Sequence, residues 1–233
     1  MIERADVLLH LVLDPVTVEW LERLNSNARS LAGHYAVGKD RRETYAAMVE
    51  EILAEVRTGV DVCVAFYGHP GIFVDPGHAA IERARAEGFR ARMLPGISAE
   101  DCLVADLGLD PAETGCQTYE ATAFLLNRRQ VDASVLLILW QVGFLGQFAT
   151  PAPGSPLPLE VLAERLADFY PAEHELIVYQ ASPYAIMEAF CERLALGDLP
   201  GFDVPPLATL VVPPAERAAV DVTMRDRLGL PSP

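Results

Sequence analysis

Short apolar runs alternate along this chain with stretches in which apolar residues recur every three or four positions. That is the pattern of strands alternating with amphipathic helices. Residues 7–13 read as a strand. Residues 15–25 read as a helix, with Pro15 where a helix start tolerates proline. Residues 42–57 form a second helix, apolar at Met48, Ile52, Leu53 and Val56. Residues 60–66 are a strand, 76–87 a helix ended by Gly88, and 89–94 a strand. Ser98, with Asp101 three positions on, is a capping box that opens a helix to Leu107. After Gly108 the rhythm restarts, with strands over 116–122, 134–140, 176–180 and 208–212 and helices over 159–169, 184–196 and 217–228. The 134–140 run is apolar nearly throughout, as in a sheet buried on both faces. Residues 150–158, rich in Pro and Gly, form a loop.

This alternation predicts an α/β protein with parallel sheets covered by helices on both faces. The stretch 107–114 is the best hinge, so the chain reads as two α/β domains, 1–110 and 111–233. Ligands in such sheets sit outside the carboxyl ends of the strands. The loops to inspect are therefore those after Phe66, Leu94, Trp140 and Tyr179.

Composition narrows the function. The 233 residues are 51% hydrophobic, enough for a real core, and carry 18 basic against 33 acidic side chains for a net charge of −15. No basic stripe is present to neutralise phosphates, so neither nucleic acid nor an anionic membrane is an expected partner. Cys63, Cys102, Cys116 and Cys191 lie far apart with no C-x-x-C pair. They read as buried small hydrophobes in a reducing compartment. No apolar run reaches the length of a membrane span, and the acidic start is unlike a signal peptide, so a soluble cytoplasmic protein is expected.

Three groups of residues carry candidate chemistry. The loop Phe66-Tyr67-Gly68-His69-Pro70-Gly71-Ile72-Phe73-Val74 follows a buried strand and lets backbone approach a ligand closely, although a plain tight turn has similar composition. It is neither a P-loop nor G-x-G-x-x-G. Ser98 caps a helix whose N–H groups could hold a carboxylate or hydroxyl, or could serve the cap alone. Tyr35, Arg41 and Tyr45 form the third group. Arg41 and Tyr45, four apart at a helix start, share a face. A guanidinium beside phenols is expected to lower their pKa from about 10 towards the working range, and phenol faces can hold a sulfonium. An aromatic–arginine stack on a helix surface would look the same. His10, mid-strand, reads as a core histidine. His34 adjoins Tyr35 and could line the same site. His174 with Glu173 and Glu175 resembles a metal cluster in composition only, and no metal site is expected.

These loops together resemble the tetrapyrrole methylase superfamily of S-adenosylmethionine (SAM) methyltransferases, and within it the borosin-type peptide backbone N-methyltransferases. The resemblance runs from Val7 to about Pro214. It rests on the Phe66–Val74 loop, then on Ala91-Arg92-Met93-Leu94-Pro95-Gly96-Ile97-Ser98-Ala99-Glu100-Asp101-Cys102, Gly115-Cys116-Gln117-Thr118-Tyr119-Glu120-Ala121 and Gln141-Val142-Gly143. A Tyr-x-x-Gly-Lys-x-Arg-x-x-x-Tyr frame holds Tyr35, Arg41 and Tyr45.

The resemblance implies two α/β domains of the tetrapyrrole methylase type with SAM in the cleft between them. Tyr67, Gly68, His69, Pro70, Gly71, Ile72, Phe73, Ser98, Ala99, Gln141, Tyr179 and Ala181 would bind the cofactor. Tyr35, Arg41, Tyr45 and Tyr67 match the catalytic cluster. Tyr35, Tyr45 or both, polarised by Arg41, would act as base or as hydrogen-bond donors to a peptide amide, with Tyr67 orienting the peptide. The family implies a homodimer. It also implies a further strand and Gly-rich loop before the first helix, so the first sheet is expected to be one strand short. No hydrophobic core peptide follows the chain's last residues, so the substrate is expected to be a separate precursor peptide methylated in trans, in the biosynthesis of ribosomally made peptides. The alternatives are a tetrapyrrole precursor methylase on the same scaffold and a non-catalytic SAM- or partner-binding subunit.

Overall fold

The computed structural model describes every residue except Leu13, Ala185, Ser232 and Pro233. The chain divides into two compact units. One comprises Met1–Ala105, Gln147–Pro156 and Pro183–Ala185, the other Asp106–Gly146, Leu157–Ser182 and Ile186–Pro233.

The first unit is built on three parallel strands, β1 (Val7–Leu11), β2 (Ala28–Ser30) and β3 (Val62–Phe66), in the order β2-β1-β3. Helix α1 (Pro15–Leu24) crosses from β1 to β2, its first turn capped by the Asp14 carboxylate, which accepts from the N–H groups of Val16 and Thr17. Helix α2 (Arg41–Arg57) crosses from β2 to β3. The period-2 alternation of β1 separates two cores. Leu9 and Leu11 pack with Met48, Val49, Ile52 and Leu53 of α2 and with Ala80 and Ala84 of α3 (Asp75–Ala86). On the other face Leu8 and Val12 pack with Leu21 of α1. Leu13, placed in the first strand by its pattern, lies outside the described residues. Helix α4 (Ala99–Leu107) opens on a reciprocal cap: Ser98 donates from its backbone N–H and its Oγ to Asp101 Oδ2, each at 2.6 Å, and the Asp101 N–H returns to Ser98 Oγ at 3.2 Å.

The second unit carries α5 (Pro111–Thr114), β4 (Cys116–Glu120), α6 (Ala121–Leu126), β5 (Leu136–Trp140), α7 (Leu159–Ala167), β6 (Glu175–Gln180), β7 (Phe190–Ala195), β8 (Thr209–Val212) and α8 (Val222–Arg227). Its sheet runs β4-β5-β8-β6-β7. Only β4 and β5 pair in parallel; β8 runs antiparallel to both β5 and β6, and β7 antiparallel to β6. All five residues of β5 are buried, and one core joins Leu137 and Leu139 to Leu159, Leu162 and Leu166 of α7 and to β6 and β8.

Three sequence expectations are corrected here. Residues 89–94 are not a strand. No strand among the described residues pairs with them, and without a ladder partner an apolar run stays irregular. Residues 184–196 are not a helix. Phe190–Ala195 pairs residue for residue with β6 and places Arg193 in an ion pair with Glu175, so cross-strand contacts override the helical spacing. Together with β8, this strand makes the second sheet mixed rather than parallel. Finally, none of the four cysteines is fully buried: Cys63, Cys102 and Cys116 are half-buried and Cys191 is exposed on β7, the sheet's edge. Among the described residues no helix is long and apolar enough to cross a membrane.

Candidate active site

The first group of candidates lies at the start of α2. Asp40 caps this helix, its carboxylate accepting the Arg42 N–H at 2.6 Å, so Arg41 is the first helical residue. The backbone there is gripped from outside as well. The Arg41 N–H donates to the Phe148 carbonyl at 3.1 Å, Gly38 donates to Thr150 at 2.9 Å, Thr150 donates to Lys39 at 3.0 Å, and Asp40 bridges antiparallel to Ala149. Tyr45 follows one turn on, over the same face. Tyr35 ends a short 3-10 turn, Leu31–His34, and packs with Tyr45 against the α2 side of the core. Tyr67 leaves the end of β3, its N–H on the Leu11 carbonyl at 3.3 Å.

The fold brings these four side chains together. The Tyr35 phenol stands close enough to Tyr45, Tyr67 and Arg41 to feel each of them. Burial pushes the Tyr35 phenol far above its ordinary value of 10. The Tyr45 phenol, by charge and hydrogen bond, and then Tyr67 add to that shift, and Arg41 opposes it without prevailing. Tyr67, although 55% exposed, is also raised, chiefly by partial desolvation and next by Tyr45, again against Arg41. The expected lowering of these phenols by Arg41 is therefore corrected. Losing water costs the phenolate more than one guanidinium returns, so Tyr35 and Tyr67 are neutral donors at physiological pH.

The glycine loop closes beside this cluster. Gly68 takes φ +70, which favours glycine, and a Cβ on Gly96 would stand 3.0 Å from the Gly68 carbonyl, so the two loops touch backbone to backbone. Gly77 at the start of α3 admits the Pro70 carbonyl, which a Cβ would meet at 2.7 Å. Gly71 is pinned on both sides: its N–H donates to His69 Nδ1 at 3.0 Å and its carbonyl meets His78 Nε2 at 2.8 Å. Phe73 holds φ 56, a left-handed conformation that costs a non-glycine residue free energy and marks a constrained loop. Large apolar side chains stand exposed on the touching loops: Tyr67, Ile72, Phe73, Leu94 and Ile97, the last at 70%. Such a patch with close-approach glycines suits a flat, partly apolar, cationic ligand such as SAM, so these residues fit that cofactor. Ser98 is buried and its side chain is taken up by the Asp101 cap; Ala99 is the first residue of α4.

The remaining candidates belong to the second unit. Gln141 follows β5 in a left-handed conformation at φ 60, and the next N–H, of Val142, donates to Ala208 at 3.0 Å. Gly143 leaves room for the Pro205 and Pro206 carbonyls, each 2.4 Å from where a Cβ would lie. The Tyr179 ring is 1% exposed within β6 and its hydroxyl donates to Asp106 at 2.7 Å, so this side chain serves the unit's own core. Ala181 follows β6, beside Gln180, whose side chain accepts the Leu207 N–H at 3.0 Å. Gln141 and Ala181 thus stand at one end of the same sheet. His174 contacts the Pro213 carbonyl and stacks on Tyr170, and no metal-holding cluster occurs among the described residues.

Sequence reasoning missed two features of this region: the 148–150 segment gripping Arg41, and the His34–Glu51 contact at 2.6 Å beside Tyr35. Both join residues distant in the chain. The one available signal was the spacing of the acids on α2.

The model of the tetrapyrrole (corrin/porphyrin) methylases matches residues 1–188. The chain is 41% identical over 234 residues to a methyltransferase/ribosomally synthesized cyclic peptide gymnopeptides precursor of Gymnopus fusipes, covering 98% of this chain and 56% of that protein. It is 39% identical to the corresponding omphalotin A precursor of Omphalotus olearius, with the same coverage. It is 44% identical to a type I borosin cyclic peptide precursor of Coprinopsis marcescibilis, over 85% of this chain and 51% of that protein. The chain spans about half the length of these curated relatives. Among solved structures it resembles a uroporphyrin-III C-methyltransferase from Thermus thermophilus, with TM-score 0.61 and 21% identity over 100% of this chain and 87% of that one. It also resembles such an enzyme from the same organism complexed with S-adenosyl homocysteine, with TM-score 0.58 and 16% identity over 91% and 87%. Those likenesses carry the fold, and the match over four-fifths of the chain carries the family: this chain belongs to the tetrapyrrole methylase family.

Proposed function

We propose that the chain is a SAM-dependent methyltransferase that methylates backbone amide nitrogens of a peptide supplied as a separate molecule, in the making of a ribosomally synthesized peptide product. The observation that carries this reading is the grouping of Arg41 with the Tyr35, Tyr45 and Tyr67 phenols beside the glycine loop. The printed names of the relatives, which join a methyltransferase to a cyclic peptide precursor, point the same way.

An amide nitrogen is a weak nucleophile because its lone pair is delocalised into the carbonyl. SAM, when bound, supplies a methyl group on a sulfonium. The Tyr67–Phe73 loop, with the neighbouring Ser98–Ala99 turn, would hold the cofactor. Arg41, the neutral phenol of Tyr35 and the hydroxyl of Tyr45 donate hydrogen bonds to the amide oxygen. They stabilise the charge that grows there as the nitrogen lone pair is released. Tyr67 holds the peptide in line with the methyl group. With SAM bound, the nitrogen would take the methyl group, the sulfur would keep the bonding pair, and the N–H proton would pass to water.

The test is the intact mass of a peptide encoded beside the gene for this chain, produced with and without it. Mass gains of one methylene per transfer, mapped to backbone nitrogens, support the reading. No gain on the peptide with a gain on a tetrapyrrole would replace it. The family resemblance also suggests two copies as the working unit, which sedimentation at assay concentration decides.

A further inference from the structure

Tyr35 is held against α2 at more than one point. Its ring packs with Tyr45 against the core that α2 covers. The preceding residue, His34, places Nε2 2.6 Å from Glu51 Oε2, six positions beyond Tyr45 and so roughly 9 Å further along the helix axis. Lys39 closes the arrangement from the other end of the connecting loop: its ammonium donates to the His34 carbonyl at 2.9 Å. Lys39 is also the only lysine in a chain with 18 basic residues. An ammonium puts one compact donor on a single carbonyl, which the wider planar fork of arginine does not reproduce. His34 and Glu51 are each about 30% exposed, at 27% and 31%, so their contact is screened only in part.

We propose that His34, Glu51 and Lys39 form a brace that positions Tyr35. They are positioning residues; of these four side chains Tyr35 alone reaches the substrate in the proposed reaction, on which this inference rests. The packing of Tyr35 and the His34–Glu51 contact, spaced along α2, fix both the place and the direction of the 3-10 turn, whereas the packing alone leaves it free to pivot. A pivot of about 1 Å at the phenol is enough to lose in-line geometry.

The experiment labels the protein with tyrosine carrying 13C at Cζ and assigns the Tyr35 resonance by its loss in Tyr35→Phe. The brace predicts that His34→Ala and Glu51→Ala each displace that resonance, and that Glu51→Gln, which retains an acceptor, restores it. In peptide methylation the alanine variants lose about tenfold in kcat with KM for SAM unchanged. A Tyr35 resonance unmoved in both folded alanine variants overturns the proposal. If those variants fail to fold, Lys39→Arg decides: the brace predicts a displaced resonance, and an unmoved one overturns it. Should the wild-type chain methylate no peptide, the functional reading falls while the resonance still decides the brace.

Discussion

β3 and β5 occupy comparable places, each ending at a candidate loop, yet they are built differently. All five residues of β5 are buried, and none of the five of β3 is. The second unit spends its apolar residues on one thick core shared by α7, β5, β6 and β8. The first unit divides a thinner supply between two faces of a three-stranded sheet. It also carries the desolvated phenols of Tyr35 and Tyr67, whereas each unit holds one left-handed non-glycine residue, Phe73 and Gln141. The difference teaches where each kind of work is done: rigidity comes from the second unit, and the costly arrangement of polar groups is concentrated in the first.

The sharpest way to break this comparison is Arg41→Ala. It should lower peptide methylation by about 100- to 1000-fold, the range seen when one donor to a developing oxyanion is lost. SAM binding by calorimetry should be nearly intact, because Arg41 belongs to the peptide-facing cluster. Next, Leu139→Ala in β5 should cost about 3 kcal/mol in the calorimetric unfolding of the chain, and Val64→Ala in β3 about 1 kcal/mol. Equal losses would erase the distinction between the units. Gly77→Ala should weaken SAM binding about tenfold with a smaller change in stability, because its Cβ would strike the Pro70 carbonyl and push the glycine loop outward.

The smallest expected effect concerns His10, which is 1% exposed in β1 with an unpartnered Nδ1. Burial holds its pKa below 6.5, with Glu22 opposing. The unfolded chain therefore binds the proton more readily. Stability is fully present above 6.5 and falls as pH drops through that value towards the folded pKa. Urea midpoints at pH 7.5 and 5.5 should differ in the wild type and converge in His10→Leu.

Much of this was legible in the sequence because it is local. The Ser98–Asp101 cap, the α2 start at Arg41 with Tyr45 a turn later, and the glycine loop after Phe66 all depend on residues within a few positions of one another. What escaped depends on distant pairing. The 184–196 stretch has helical spacing but finds its partner in β6, and 89–94 looks like a strand but has no ladder neighbour. The phenols were misjudged for the same reason. Arg41 is visible four residues from Tyr45, whereas the burial that outweighs it comes from the whole surrounding fold.

The account's central claim is that the phenols act as neutral donors. The direct test is the single-turnover rate of peptide methylation from a preformed complex with SAM, followed from about pH 6.5 to 9.5, a range bounded above by the ordinary phenol value. The account predicts a flat profile, since the Tyr35 and Tyr67 phenols, raised above their ordinary value, stay protonated throughout. A rate that climbs with pH would show a phenolate acting as base and would contradict it.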